Sequence, residues 1–444
     1  MTEKLRRLLQ EKKYQDIKEI LGEMNPADIA FAIEELPKEQ ALLLFRLLSK
    51  ETAAETFVFF DFDTQEKFIS AFTESELHEV IDELYFDDTV DIIEEMPANV
   101  VTRILKHTDA ETRKIINQVL KYPKDSAGSI MTIEFVDLKR NMTVEDAFKR
   151  IRRTGVDKET IYTCYVTDDQ RRLIGVVTVK ELLLHDMNDM IEEIMETNTI
   201  SVNTLEDKEF VAQQFDKYDF LAIPVVDTEN RLVGIVTIDD AIDVIQDENT
   251  EDIEKMAAIS PSDKPYLKTG VWETWKKRIP WLLLLMISAT FTGKIIQHYE
   301  SALGTYVILT AFIPMLMDTC GNAGSQSSVT IIRGLSLNEI GFRDIFKIIW
   351  KEFRVAVICG LTLAAANFVK LMVLDRVSLT VAAVVCLTLL TTVILSKLVG
   401  CMLPIFAKKM KFDPAVMASP FITTIVDAIS LLVYFEIASL LLSL

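Results

Sequence analysis

The chain has 444 residues, more than one ordinary domain holds, and a net charge of −20. The charge is lopsided: the first 271 residues carry 32 Lys and Arg against 57 Asp and Glu, and the rest carry 15 against 10. An N-terminal portion at −25 argues against nucleic acid as a partner, and with no apolar stretch at the start of the chain no cleaved signal peptide is expected. Residues 1–125 show helical periodicity with short breaks. Two stretches in them match, DIAFAIEELP at 28–37 and DTVDIIEEMP at 88–97, each a helix stopped by a proline, Pro37 or Pro97. Short helices repeated in this way stack into a superhelix, so an all-α superhelical N domain is predicted.

Residues 126–250 change character. RRLIGVVTVKELL (171–183) aligns with NRLVGIVTIDDAI (230–242), each a turn, a β-rich run ending in GxVT and a helix start. The strands before them are YTCYVTD (162–168) and FLAIPVVD (220–227). The duplicated unit resembles a tandem pair of CBS domains. In such modules a Thr-x-x-Asp after a strand holds ribose hydroxyls. Thr237 and Asp240 fit that pattern and Thr178 with Glu181 fits it less well, so ATP or another adenine nucleotide is a candidate ligand.

A helix is predicted over 239–259, inside an acidic connecting segment running from 239 to 270. Asp240, Asp243, Asp247 and Glu251 are spaced 3, 4 and 4, which puts them on one face, and Glu248 and Asp252 form an adjacent row. Spacing alone leaves two readings open, a solvated acidic face or a surface that closes on other acidic surfaces only with cations between them.

Residues 271–444 form a membrane domain. Five apolar stretches can be drawn, at about 279–298, 304–332, 354–374, 378–403 and 415–443, each long enough for a hydrocarbon core of ~30 Å. Lys276, Lys277 and Arg278 precede the first. Arg333, Arg343, Lys347, Lys351 and Arg354 lie between the second and third, and Lys408, Lys409 and Lys411 between the fourth and fifth. The opposite loops are poor in basic residues. The positive-inside rule then places the N-terminal domain in the cytosol and the C-terminus, Leu444, outside.

Polar side chains inside such spans are costly and mark function. In the second span Pro314 precedes MLMDTCGNAGSQSS, where Asp318, Asn322 and Gln326 recur every four residues on one face; Pro314 is expected to free a carbonyl one turn earlier. In the fifth, Asp427 lies deep in an apolar run with Thr423 one turn before it. A carboxylate at that depth must be protonated, paired or bound to a cation. No basic residue within the fifth span can pair with it, whereas Lys294, Lys370 and Lys397 of other spans could in principle do so. An all-oxygen donor set suits Mg2+ or Ca2+, and so few carboxylates suit Mg2+, which keeps its waters. No nucleophile–base pair or metal-activating cluster stands in the spans, so an enzyme is not expected. The five cysteines form no CxxC pair and read as packing residues, and the four histidines, His78, His107, His185 and His298, read as scattered.

The order of these parts resembles the MgtE family of magnesium channels along essentially the whole chain. PMLMDTCGNAGSQSS (314–328) and DPAVMASPFITTIVDA (413–428) are similar to that family's most specific motifs, with Cys320 standing where glycine is usual. The resemblance implies a homodimer in the plasma membrane, with a pore lined by spans 2 and 5 and hydrated Mg2+ held at Asp427. It also implies a gate closed by cytosolic Mg2+ bridging Asp87 and Asp91 of the N domain, Asp219 of the second CBS unit and Asp240, Asp243, Glu248, Glu251 and Asp252 of the helix, with Asp413 near the cytosolic mouth. The competing expectation is a CBS-regulated transporter of another divalent cation or solute.

Overall fold

The structure is a computed structural model and describes residues 1–262, 266–300, 304, 306–417 and 419–442. It forms two compact units, Met1–Ile245 and Gln246–Leu444. In the first, ten helices of eight to ten residues run from Thr2–Gln10 to Ala110–Val119. Their ends are written in side chains that accept the orphan N–H groups of the first turn. Asn25, Ser49, Asp61 and Asp109 do so, and Thr73 with Glu76 forms a capping box. Pro37 and Pro97 each stand at the N-cap of the next helix, Lys38–Phe45 and Ala98–His107, so one residue stops one helix and starts another. Apolar faces meet in a core centred on Phe45, whose ring centroid lies 5.3 Å from Phe68 and 5.4 Å from Phe72. Each aromatic pair of this kind contributes about 0.5–1.5 kcal/mol beyond its buried area.

Two small sheets follow, β1 (Val136–Lys139), β2 (Thr163–Thr167) and β3 (Leu173–Thr178), then β4 (Val202–Asn203), β5 (Ala222–Val226) and β6 (Leu232–Thr237). In each, the first strand runs parallel to the second and the second antiparallel to the third. The registers repeat, Thr163 opposite Thr178 and Ala222 opposite Thr237. Tyr165 and Leu173 of one sheet share a buried cluster with Ala222, Leu232 and Ile235 of the other, so the two repeats bury a common apolar face. The helix predicted over 239–259 is Ile238–Met256; it ends three residues early because Ala258 adopts a left-handed backbone (φ 56°).

The second unit has five helical segments long and apolar enough to cross a membrane: Val271–His298, Val307–Ser336, Phe342–Asp375, Leu379–Lys409 and Pro414–Leu442. They are called spans 1 to 5. Most run past the apolar windows drawn from sequence, because a helix continues into charged turns where hydropathy no longer marks it. Span 2 opens with a 3₁₀ stretch, Val307–Phe312, and turns α at Ile313. Pro314 therefore sits in the first turn of the α-helix, where its missing N–H has no intrahelical partner to lose. It starts the helix and does not interrupt one, contrary to the expectation of a freed carbonyl. Span 3 closes in a π-helical turn, Leu371–Asp375, with Arg376 left-handed (φ 47°). Spans 2, 4 and 5 share a core that includes Leu309, Leu316, Val385, Leu431 and Phe435. Spans 2 and 4 cross backbone to backbone: a Cβ at Gly400 would overlap the carbonyl oxygen of Gly324, and one at Gly324 would stand 2.8 Å from Ser396 Oγ. Only glycine allows this approach. Leu444, the C-terminal residue that the loop charges place outside, lies outside the described residues.

Candidate functional site

The spacing predicted for span 2 is realised. Asp318, Asn322 and Gln326 are exposed along one face of the helix, while Cys320, Gly324, Ser327 and Ser328 are buried on the other. Asn322 Nδ2 donates to Asp318 Oδ1 at 3.2 Å. Span 5 brings Asp427 against that stripe. A Cβ at Gly321 would lie 3.0 Å from Thr423 Cγ2 and 3.9 Å from Asp427 Oδ1, so the bare glycine opens the room in which the carboxylate stands. Asp318 is near enough to act on Asp427 electrostatically. Thr423 Oγ1 is spent on the Pro420 carbonyl (3.0 Å). Cys320, the departure from glycine, donates Sγ–H to Thr392 Oγ1 (3.0 Å) and packs against span 4.

No basic side chain among the described residues pairs with Asp427. Lys370 pairs with Asp375 (3.5 Å), and buried Lys397 reaches Ser327 Oγ (3.4 Å), which itself donates to Glu352 (2.7 Å). Two carboxylates and two amides thus line an open polar strip on otherwise apolar helices.

The second set of candidates lies in the first unit. Asp87, Asp88 and Asp91 project from the helix Phe86–Glu95 towards the start of the helix Ile238–Met256. Burial, then Asp240, Asp88 and Glu159, push the Asp87 carboxyl well above its ordinary value. Burial, then Asp240, Asp239 and Glu134, raise Asp88 to about 7. Asp91 lies exposed on the same helix; the protein beside it, then Asp240 and Asp88, push its carboxyl up to about 7, an effect that the water around it screens. Asp240 rises to about 6 by burial, tempered by the hydrogen bond it accepts from Thr237 Oγ1 (2.7 Å). Glu159 reaches about 8 through burial and its neighbours Asp239, Asp88 and Asp240, and its Oε2 is buried without a hydrogen bond. For Asp88 alone the displacement from 3.8 to about 7 corresponds to about 4 kcal/mol against the ionised form. A fully ionised cluster therefore holds together only with protons or cations among its members.

Asp87, Asp91, Asp240 and Asp243 of the predicted set converge here. Asp88, Glu134, Glu159 and Asp239 were not singled out from sequence; no periodicity connects a helix at 86–95 with loops at 134 and 159. Asp219 does not figure in the set: it is exposed and caps the helix Lys208–Tyr218 in a left-handed conformation. Later on the connecting helix, and within the second unit, Asp252 accepts from Ser336 Oγ (3.0 Å). Glu251 and Asp413, expected as ion ligands, both pair with Lys255, Asp413 at 2.7 Å. Asp247 and Glu248 lie on the same helix, half-buried or exposed. Among the described residues no group of three or more His, Cys, Asp or Glu side chains closes tightly enough to hold a metal ion. The histidines are less scattered than expected: the rings of His78 and His107 lie 5.9 Å apart, and His107 Nε2 is 2.7 Å from Glu74. All five cysteines are free thiols.

The Thr237–Asp240 pair read as a ribose contact faces this cluster, where a triphosphate would meet carboxylates. Thr178 and Glu181 form a capping box on the helix Val179–Leu184.

Comparison with known proteins gives matches along most of the chain. Residues 313–437 match the family described as divalent cation transporter, 24–125 the MgtE intracellular N domain, and 127–188 and 191–247 the CBS domain. The magnesium transporter MgtE of Thermus thermophilus is 36% identical over 99% of this chain and 98% of its own length. That of Bacillus subtilis is 33% identical over 97% and 95%. Among solved structures, the cytosolic domain of the Mg2+ channel MgtE in complex with ATP superposes with a TM-score of 0.53 at 36% identity, covering 55% of this chain and all of its own. The soluble part of a magnesium transporter gives 0.52 at 30% identity, covering 56% and 97%.

Proposed function

The chain belongs to the MgtE family of divalent cation transporters, and from that premise we propose that it conducts hydrated Mg2+ along the Asp318–Asn322–Gln326 and Asp427 strip, gated by cytosolic Mg2+ at the acidic cluster. It is a multi-pass membrane protein with a helical N domain and a CBS pair. One observation carries the transport reading: Asp427, paired with no basic side chain among the described residues, opposite an exposed amide and carboxylate stripe on apolar spans. A polar stripe cannot face lipid. A second copy of the chain across that face gives the stripe a water-filled lumen, which is the argument for a homodimer. Few carboxylates, amides and a bare glycine suit an ion that keeps its waters.

The regulatory reading rests on the strained carboxylates of the first unit. Their arrangement does not close on a bare ion, but Mg2+ with its waters bridges carboxylates at longer range than direct ligation needs. Asp87, Asp88, Asp91, Asp239, Asp240 and Glu159 would hold it, with Asp243 at the edge; Asp247, Glu248 and Asp252 follow along the same helix. Glu251 and Asp413 take part only by releasing Lys255. Cations between these surfaces favour the closed packing, and their loss lets the surfaces part. ATP, bound by the related cytosolic domain, is a candidate regulatory ligand of this CBS pair as well.

The purified chain in liposomes should admit Mg2+ to a trapped indicator and carry a current under a Mg2+ gradient. Flux no greater than in protein-free vesicles would overturn the reading, and flux without current would make it an electroneutral carrier. Topology is tested separately. With the N-terminal unit in the cytosol, a reporter that is active only outside the cytosol should be active when fused to the C-terminus and silent at the N-terminus. The reverse pattern would invert the orientation, and the same signal at both ends would remove the five-span arrangement.

A further inference from the structure

One positive feature of the first unit lies where the net charge predicts none. A cleft of about 500 Å³ runs along the edge strand β1 and is lined by Lys139, Arg150, Lys158 and Arg171 against a single acid, Asp137. Asp137 is consumed by Arg150, which bonds both its carbonyl and its carboxylate. Lys139 Nζ donates to Thr167 Oγ1 (2.8 Å) and the Asp168 carbonyl (2.9 Å), neither of which cancels its charge locally. Lys158 and Arg171 form no ion pair among the described residues. Three uncompensated cations thus face one cavity in a region that is otherwise strongly acidic. The cavity shares Ile133, Phe135, Arg171 and Leu232 with a second one of about 600 Å³, which adds the Tyr122 ring and the apolar side chains of Met131 and Val119, with Arg231 and the carboxylates Asp169 and Asp227 also on its wall. Both volumes fall in the range of small-molecule sites.

We propose that this continuous cleft binds a phosphate-bearing small molecule with an aromatic or apolar body. The phosphate lies on Lys139, Lys158 and Arg171, for which charged, forked donors are the fitting chemistry. The body lies against Tyr122, Phe135 and Leu232. The site differs from the two Thr-x-x-acid positions. Lys139 pairs with Thr167 at the hairpin end of the first sheet, whereas Thr178 pairs with Thr163 at its other end. Four residues of strand separate them, ~13 Å at ~3.3 Å per residue. None of Thr178, Glu181, Thr237 and Asp240 lines either cavity. Because Val119 and Tyr122 come from the end of the helical domain, and Leu232 from the second sheet, an occupant would join the helical domain to both CBS repeats.

The test is equilibrium binding to the full-length protein in detergent without Mg2+, using inorganic pyrophosphate and ADP as probes. Both should bind saturably, ADP more tightly because it also fills the apolar half. Arg171→Asn suits the left-handed backbone at that position (φ 64°), and with Lys158→Gln it should weaken both probes by at least about tenfold. Thr178→Ala and Thr237→Ala should leave pyrophosphate binding unchanged. Both cation variants are surface changes, and an unaltered melting midpoint confirms that they fold. The proposal fails if neither probe saturates, if the double variant binds like the parent, or if Thr178→Ala or Thr237→Ala alone removes binding. Equal affinity for the two probes would overturn the aromatic half of the site.

Discussion

Asp427→Ala is expected to reduce Mg2+ flux in liposomes by at least about 100-fold, with folding and assembly intact. A carboxylate about 5 Å from a divalent ion, at an effective dielectric near 20, attracts it by several kcal/mol, and ~1.4 kcal/mol is a factor of ten. Asp318, on the neighbouring helix of the same strip, is the other carboxylate that acts on this position. Asp427→Asn should retain a measurable fraction, since its amide oxygen still accepts from the ion's water shell while the charge is gone. Flux by the alanine variant equal to the parent, in a preparation that elutes and melts like it, would remove Asp427 from the ion path.

The second large effect concerns the acidic cluster and has a defined pH window. Asp88, Asp91 and Glu159 titrate near 7, 7 and 8, and Asp240 near 6, all above their ordinary values. A carboxyl raised on packing favours the packed state when protonated. That contribution is complete below the ordinary carboxylate range near pH 4 and is lost as pH rises through 6 to 8. Without Mg2+ the full-length protein should therefore resist limited proteolysis at pH 5.5 and be cut at least about tenfold faster at pH 8. Millimolar Mg2+ at pH 8 should restore resistance, and at pH 7 its binding should release protons. Monovalent salt should not replace it, because it screens without bridging. Asp87→Asn with Asp88→Asn and Asp91→Asn should give resistance that depends much less on pH and Mg2+, with only Glu134, Glu159, Asp239 and Asp240 left to titrate. Identical cleavage of the parent at both pH values, with and without Mg2+, would reduce the cluster to a solvated face and end the gating account.

Much of this was legible in the chain because it is written in local rules. The helix breaks at Pro37 and Pro97 follow from proline's missing N–H, and the CBS duplication follows from two aligned strand–turn–strand runs. The polar stripe follows from i, i+4 spacing, since a helix fixes which side chains share a face. What sequence could not supply are juxtapositions between distant segments. Glu159 and Glu134 join Asp88 only because a loop and a linker fold beside the helix Phe86–Glu95. Lys255, which sits one turn after Glu251, was not weighed, although i, i+4 pairing makes it the natural partner; Asp413 reaches it from far along the chain. Pro314 was misread for a different reason. Its effect depends on where the helix begins, and a window of apolar residues does not mark that boundary.

The crossing of spans 2 and 4 at Gly324 and Gly400 has a mechanical consequence. With main chain resting on main chain and no side chain between, there is no soft layer for one span to slide over the other. The two act as a single rigid wall, and the buried Lys397–Ser327–Glu352 chain ties span 3 to the same wall. Span 5 meets that wall through side chains, at Thr423 and Ile422, which can change rotamer. On the proposed ion path, a change of bore would then be a displacement of the Asp427 helix against a fixed face, with the carboxylate on the moving part and the amide stripe on the stationary one.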